Sequence, residues 1–322
     1  MPVTWGILST ADINKKLLPG AQESDQVEVL AVGSRDLERA REFGATWGIP
    51  RAYGSYEEFL ADPDIEAVYI PLPNTMHCEW SIRALEAEKH VLCEKPLSRR
   101  VAEAERAFDA ADAAGRLLME AFMWRHNPQT QRFAQLAADA IGELRLVRAA
   151  FSFMLDDPGN VRLDAELDGG ALMDVGCYCV SGARLLAGEP EAVSAQQVTT
   201  ADGVDVRMAA TLRHPGGVLT TLDCGLDLPD RSELQAIGSG GALWAQDPWH
   251  CHAASFELRQ GEGRETVTVA RADSYRLELE NLSAAIRGEG TPLLGREDAV
   301  AQARVIEALY ASADAGGALT AV

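Results

Sequence analysis

Positive charge is scarce in this chain. Against 49 Asp and Glu stand 29 Lys and Arg, for a formal net charge of −20, and the only lysines are Lys15, Lys16, Lys89 and Lys95. That balance argues against nucleic acid or an anionic membrane as partner, because both are bound mainly through clustered Lys and Arg. An anionic ligand must be held by local groups. Long apolar runs are missing too: none approaches the length needed to cross a bilayer, and MPVTWGILST has no basic segment followed by a signal-like core. A cytoplasmic location is the default expectation. Cysteines occur at 78, 93, 177, 179, 224 and 251 without a CxxC pair or secretory context, so reduced thiols are expected rather than a disulfide framework. The triplet His250-Cys251-His252 suggests a metal, but adjacent ligands on a strand point to opposite faces and no second cluster has zinc-like spacing. No metal is expected. Internal repeats and low-complexity linkers are absent as well.

What is present is an ordinary globular composition, 47% hydrophobic and 24% charged, in 322 residues, more than one core usually supports. Over the first 120 residues, the apolar runs VTWGILS, VEVLAVGS, EAVYIPLP and HVLCE alternate with the helical patterns LERAREFGATWG, SYEEFLADP, EWSIRALEAE and VAEAERAFDAADAAG. Such alternation predicts a parallel sheet covered by helices on both faces. Ser55 followed by Glu58 has capping-box spacing, and Asp36 stands where a helix can begin. Beyond about residue 122 the texture changes. The helix-like PQTQRFAQLAADAIG precedes the runs LRLVRAAFSFML, DVRMAATLRH, GVLTTLDCGL and SELQAIGSGGALWA, which are separated by turns instead of helices. The expectation is α/β with two domains. Residues 1–122 form the parallel one, and residues 123–322 carry a large, predominantly antiparallel open sheet with helices at 170–187, 274–288 and 296–315.

The stretch WGILSTADIN reads as a strand entering a helix through a tight turn, the place where a Rossmann dinucleotide fingerprint puts glycines for the turn, for pyrophosphate approach and for helix packing. Here those positions are Ser9, Ala11 and Asn14, small or turn-tolerant, with Thr10, Asp12 and Ile13 between them. The helix start still offers its amides and positive dipole end to phosphate. The same residues also fit an ordinary strand-turn-helix connection. About 20 residues on, where NAD sites carry an acid for the ribose hydroxyl, the chain has Ser34 and Arg35, with Arg39 close by. A hydroxyl and guanidinium groups suit a 2′-phosphate, so NADP is favoured over NAD. The alternative is that both arginines are solvated helix-start residues beside Asp36.

The run HVLCEKPLS places Glu94, Lys95 and Pro96 at the carboxyl edge of the parallel sheet, where open α/β folds bind ligands. With PLPNTMH before it and GGALMDVGCYCV after it, this segment resembles the Gfo/Idh/MocA family of NAD(P)-dependent oxidoreductases, and the resemblance covers essentially the whole chain. It implies an N-terminal Rossmann domain and a C-terminal α/β domain whose open sheet forms subunit contacts, hence a homodimer or higher homo-oligomer. The family's Asp-x-Gly-x-His motif corresponds to Asp174-Val175-Gly176-Cys177-Tyr178. Tyrosine replaces histidine, as in the branch of glucose-fructose oxidoreductase, dimeric dihydrodiol dehydrogenase and NADP-dependent D-xylose dehydrogenase. MEAFMWRHNPQ, residues 119–129, is similar to that branch too.

If 170–187 is a helix, Asp174 and Tyr178 are four apart and share a face. A phenol of ordinary pKa, about 10, is a poor base at neutral pH, and a nearby ammonium lowers it. Tyr178 is therefore read as the proton-transfer residue, Lys95 as its tuning cation, and Asp174 as an orienting group. A core tyrosine, a helix-start carboxylate and a structural ion pair are the respective alternatives. By position, Pro71, Leu72, Pro73, Asn74 and His77 line the nicotinamide side, although His77 also fits a simple helix start. Trp124, Arg125 and Arg162 suit a polyhydroxylated ring, or else packing and surface roles. Tyr275, opening YRLELENLSAAIRG, reads as structural. The expected activity is hydride transfer between NADP and a sugar or polyol carbinol carbon, of the aldose 1-dehydrogenase type. A reductase of a keto-sugar or dicarbonyl, a dihydrodiol dehydrogenase and a non-catalytic NADP-binding regulator are the other readings.

Overall fold

The first apolar run forms β1 (Val3–Leu8), buried at every position but Thr4, as fits a strand covered on both faces. In a computed structural model that describes residues 1–322, the alternation continues through α1 (Asn14–Gln22), β2 (Val27–Gly33), α2 (Leu37–Trp47), β3 (Arg51–Tyr53), α3 (Tyr56–Leu60), β4 (Ala67–Ile70), α4 (His77–Glu86), β5 (His90–Glu94), α5 (Val101–Ala114) and β6 (Leu118–Ala121). All six strands are parallel, in the order β3-β2-β1-β4-β5-β6. This is a doubly wound sheet whose strand order reverses between β1 and β4, the position where such sheets open a ligand crevice. Asp36 caps α2 and Ser55 caps α3, each through amides two or three residues on. Gly6 is a packing requirement, since a Cβ there would lie 2.4 Å from Cζ of Phe59.

The chain then forms α6 (Pro128–Asp139), β7 (Leu144–Met154), a π-helical segment at Leu172–Gly176, α7 (Cys177–Ala187), β8 (Ala192–Thr199), β9 (Asp205–Arg213), β10 (Leu219–Gly225), β11 (Asp227–Gly238), β12 (Ala242–Ala245), β13 (Ser255–Gln260) and β14 (Gly263–Thr268). It ends with α8 (Ser274–Ile286), α9 (Arg296–Asp314) and β15 (Thr320–Ala321). The second sheet runs β14-β13-β12-β11-β7-β10-β9-β8-β15 and is antiparallel except where β7 pairs with β10. Strand β9 alternates buried and exposed side chains along most of its length, the pattern of a sheet with one covered face, and α7 packs over β7, β10 and β11.

One boundary differs from the sequence expectation. A single cut after residue 122 gives α8 to the second domain, whereas the chain divides into Met1–Met123 with Asp273–Val300, and Trp124–Ala272 with Ala301–Val322. Helix α8 packs on α1; Trp5 Nε1 donates to Ser283 Oγ at 3.2 Å, and Arg287, just past the helix, grips Glu66 at 2.7 and 2.8 Å. An amphipathic helix carries no mark of which sheet its apolar stripe will meet, so chain order misplaces it. All six cysteines are buried free thiols, and no helix is long and apolar enough to cross a membrane.

Candidate active site

Where the fingerprint has its first glycine, Ser9 stands at φ 153°, on the positive side that glycine tolerates best. Side chains brace the turn. Ser9 Oγ donates to Pro71 O at 3.1 Å and accepts from the Ala11 amide at 3.2 Å, while Asn14 Nδ2 donates to Ser9 O at 2.9 Å. The amides of Asn14, Lys15 and Lys16 turn back onto the carbonyls of Ala11, Asp12 and Ile13, but those of Asp12 and Ile13 meet no protein acceptor. Unused amides at a helix start form an anion cradle, so the turn fits a dinucleotide phosphate without its glycines.

At the end of β2, Ser34 is buried, its amide donating to Tyr53 O at 3.0 Å and its Oγ accepting the Asp36 amide at 3.2 Å. Asp36 directs its carboxylate into its own helix, accepting from the amides of Glu38 and Arg39 at 2.9 and 3.2 Å. It is thereby turned to the cap. Arg35 and Arg39 are exposed. The Lys15 ammonium, 2.6 Å away, holds the Asp12 carboxyl below its ordinary range, and Arg39 adds to this. Burial pushes the Tyr56 phenol up, with Arg35 and Arg39 acting in opposition. The two guanidinium groups thus stand among the turn, α2 and Tyr56, with the chemistry a 2′-phosphate requires.

The loops after β4 and β5 are clasped together by His77. This residue opens α4, is 1% exposed, and places its two ring nitrogens 2.8 Å from Leu72 O and from Pro96 O. Burial lowers its pKa, and Lys95 contributes to the lowering. Pro73 leads into the short 3₁₀ turn Asn74–Met76. At the end of β5, Glu94 accepts from Tyr69 OH at 2.5 Å through one oxygen and from the Lys95 amide at 3.2 Å through the other. Lys95 follows, joined to Pro96 by a cis peptide bond.

In the second unit the expected helix 170–187 is interrupted. Asp174 lies in the π-helical segment, a rare form that recurs at functional sites, and Tyr178 in the first turn of α7. Two expected substrate residues are paired here, Arg162 Nε donating to Asp174 Oδ2 at 2.7 Å, with the Arg162 guanidinium 6.0 Å from the Phe153 ring centroid. Tyr178 is 8% exposed and packs edge-on to Phe151 at 5.4 Å, with Trp249 at 6.1 Å. Trp124 is fully buried, edge-on to Trp249 at 5.1 Å, and Arg125 Nη1 donates to Ser181 Oγ at 3.2 Å.

Phe151 and Trp249 are the residues around Tyr178 that sequence reasoning missed. One signal for Trp249 exists in Gly182 on α7, where a Cβ would lie 2.9 Å from Trp249 Cη2. His250 and His252 lie in a turn rather than a strand, so their rings stack on one face at 5.4 Å, and His250 meets Phe151 at 5.6 Å and Asp247 at 3.6 Å. The strand argument applied to this triplet is corrected on that point. No group of three or more His, Cys, Asp or Glu is arranged to hold a metal ion.

Six parallel strands with an anion cradle at their reversal make the first unit a dinucleotide-binding domain of the kind that serves NAD(P)-dependent oxidoreductases. The comparison with known proteins gives the family. Residues 4–122 match the oxidoreductase family with an NAD-binding Rossmann fold, residues 133–244 match the GFO/IDH/MocA C-terminal domain, and the chain belongs to the Gfo/Idh/MocA oxidoreductases. It is similar to D-xylose 1-dehydrogenase (NADP(+)) 2 of Haloferax volcanii, 42% identical over 321 residues and 98% of each chain. Its structure is similar to that of a 3-ketoreductase from Actinomadura kijaniata in complex with NADP and TDP-benzene, with a TM-score of 0.92 and 32% identity over 97% of this chain and 98% of that one. It is similar also to aldose-aldose oxidoreductase from Caulobacter crescentus complexed with glycerol, with a TM-score of 0.93 and 27% identity over 100% of both chains.

Proposed function

We propose that this protein is an NADP-dependent sugar dehydrogenase that oxidises a carbinol carbon, the anomeric carbon of an aldose in its simplest form. Bound NADP supplies the hydride acceptor, and the protein supplies position and electrostatics. The amides of Asp12 and Ile13 hold the pyrophosphate, with Ser9, Thr10 and Ala11 shaping the turn. Ser34, Arg35 and Arg39 hold the 2′-phosphate. Pro71, Leu72, Pro73, Asn74 and the edge Glu94-Lys95-Pro96 line the nicotinamide end, with His77 fixing both loops.

On oxidation, the carbinol O–H proton passes to the Tyr178 phenolate as the C–H bond gives up its hydride. The Lys95 ammonium favours the phenolate and donates a hydrogen bond to the reacting oxygen. Phe151 and Trp249 keep water from the phenol's flank, and Asp174, fixed by Arg162, accepts from substrate hydroxyls. Trp124 and Arg125 support this wall from behind. The observation that carries the reading is Tyr178 itself: a phenol just past the π-helical segment, walled by aromatic rings, four residues from a carboxylate already oriented by an arginine.

Likeness to a D-xylose 1-dehydrogenase supports an aldose and NADP, and likeness to a 3-ketoreductase supports the reverse reaction on a keto-sugar or dicarbonyl. Steady-state assays in both directions over aldoses, ketoses and a trans-dihydrodiol, with NADP and NAD, separate these readings. Oxidation of D-xylose with NADP is the expected outcome. Tight NADPH binding with no turnover of any substrate would instead indicate a regulator. In the same reading the protein is cytoplasmic and pairs through the open face of the nine-stranded sheet, which light scattering tests as a dimer mass.

A further inference from the structure

Glu278, in the second turn of α8, has no exposed surface, and neither of its carboxyl oxygens has a hydrogen-bond partner. Such a group costs stability, and its retention asks for a reason in its surroundings. Helix α8 packs on β5, and both charged groups that act on Glu278 are carboxylates, Glu94 at the end of that strand and Asp273 at the cap of α8. Its own charge bears on the buried Tyr69 of β4, as do Glu94 and Tyr275 of α8. No titratable group of α1 or β2, which also pack on α8, acts on it.

The three carboxyls are unequally provided for. Glu94 accepts from Tyr69 OH and the Lys95 amide, and Asp273 accepts from the amides of Tyr275 and Arg276 at 2.9 and 3.0 Å. Both have donors that stabilise a charge; Glu278 has none. Where like groups share a buried site, the one without donors keeps its proton. Burial, with Glu94 and Asp273 adding to it, accordingly pushes the Glu278 carboxyl well above the ordinary range.

We propose that Glu278 is a positioning residue that stays protonated in the working enzyme and so leaves Glu94 as the anion that holds the main chain at Lys95. The proposal rests on the role given to Lys95 above. A charge on Glu278 would repel the Glu94 carboxylate and loosen its bonds to Tyr69 and to the Lys95 amide, disturbing the edge from which Lys95 acts.

Glu278→Gln keeps the shape and removes the titration. The folded wild type holds a proton that the unfolded chain loses near the ordinary carboxylate value of 4.5, so its stability relative to the variant falls as pH rises above that value. Thermal unfolding should therefore show an advantage for Glu278→Gln that widens as pH rises above the ordinary carboxylate value of 4.5. Infrared spectra of the wild type at neutral pH should contain a protonated-carboxyl band, absent from the variant. In turnover, the alkaline limb of the kcat profile should move to higher pH or vanish in Glu278→Gln, while NADPH affinity is unaltered. A stability gap that does not change with pH, or no protonated band, overturns the protonation. Coincident kcat profiles overturn the positioning role. Unfolding and infrared spectra need no catalysis, so they decide the state of Glu278 even if Lys95 proves inert, and a wild-type spectrum without the band overturns the proposal even if the variant does not fold.

Discussion

In the first unit, the groups assigned to the cofactor are held by hydrogen bonds between backbone and small polar side chains. Ser9 bonds Pro71 and Ala11, Asn14 bonds Ser9, and His77 meets the carbonyls of Leu72 and Pro96. In the second, Tyr178 is walled by the rings of Phe151 and Trp249, and the polar anchor beside it is the Arg162–Asp174 pair. A hydrogen-bonded loop holds amides and charges at fixed directions, which suits a ligand bound in one pose. An aromatic wall excludes water, which suits the proton transfer proposed for Tyr178. Substitutions in the phosphate-binding turns of the first unit should therefore act on cofactor affinity, and those around Tyr178 in the second on turnover or stability.

The sharpest way to break that comparison is Tyr178→Phe. Loss of an acid/base group lowers kcat by roughly 10²- to 10⁴-fold, and here NADPH affinity, read by nicotinamide fluorescence, should stay the same. In the first unit, Arg35→Ala removes one charge-assisted contact, about 1.5–3 kcal/mol, so NADPH binding should weaken by roughly tenfold or more while NADH binding is unmoved. A native preference for NADH would refute the roles of Ser34, Arg35 and Arg39. Gly182→Ala sharpens the second half of the comparison. The added Cβ meets Trp249 at 2.9 Å, and overpacking of this kind costs about 1–3 kcal/mol in unfolding free energy, with the Tyr178 wall displaced and NADPH affinity retained.

The smallest effect concerns how α8 is tied to the first unit. The Arg287 guanidinium holds the Glu66 carboxyl down to about 2, so the pair contributes stability above the ordinary carboxylate value of 4.5 and loses it as pH falls toward 2. Arg287→Ala should be slightly less stable than wild type at neutral pH, with the gap closing over that acidic window in thermal unfolding. A gap that persists at low pH would mean the arginine acts through its bonds to Met1 O and Pro2 O instead.

The same contrast explains what the sequence discloses. The Ser9–Ile13 turn and Ser34–Arg35 follow the ends of β1 and β2, and Glu94–Pro96 starts on the last residue of β5, so an apolar run with the motif beside it places them on one sheet edge. Asp36 and Ser55 are legible as caps because capping is local in sequence. Strand β3 is three half-buried residues with no period to detect. Phe151 and Trp249 reach Tyr178 from distant strands and turns, so no local pattern announces them. The π-helical segment hides inside a plain helical period for the same reason: the wider turn at Leu172–Gly176 changes hydrogen bonding without changing the apolar spacing enough to read. The home of α8 was invisible because amphipathic faces are interchangeable until packed.

The account stands on Lys95 and Tyr178 serving one proton transfer, and a double-mutant cycle on kcat measures that most directly. Groups that act as a unit are strongly non-additive, so Lys95→Met combined with Tyr178→Phe should be hardly slower than Tyr178→Phe alone, with NADPH still bound by all three variants. Losses that multiply, each substitution exerting its full effect in the presence of the other, would contradict it.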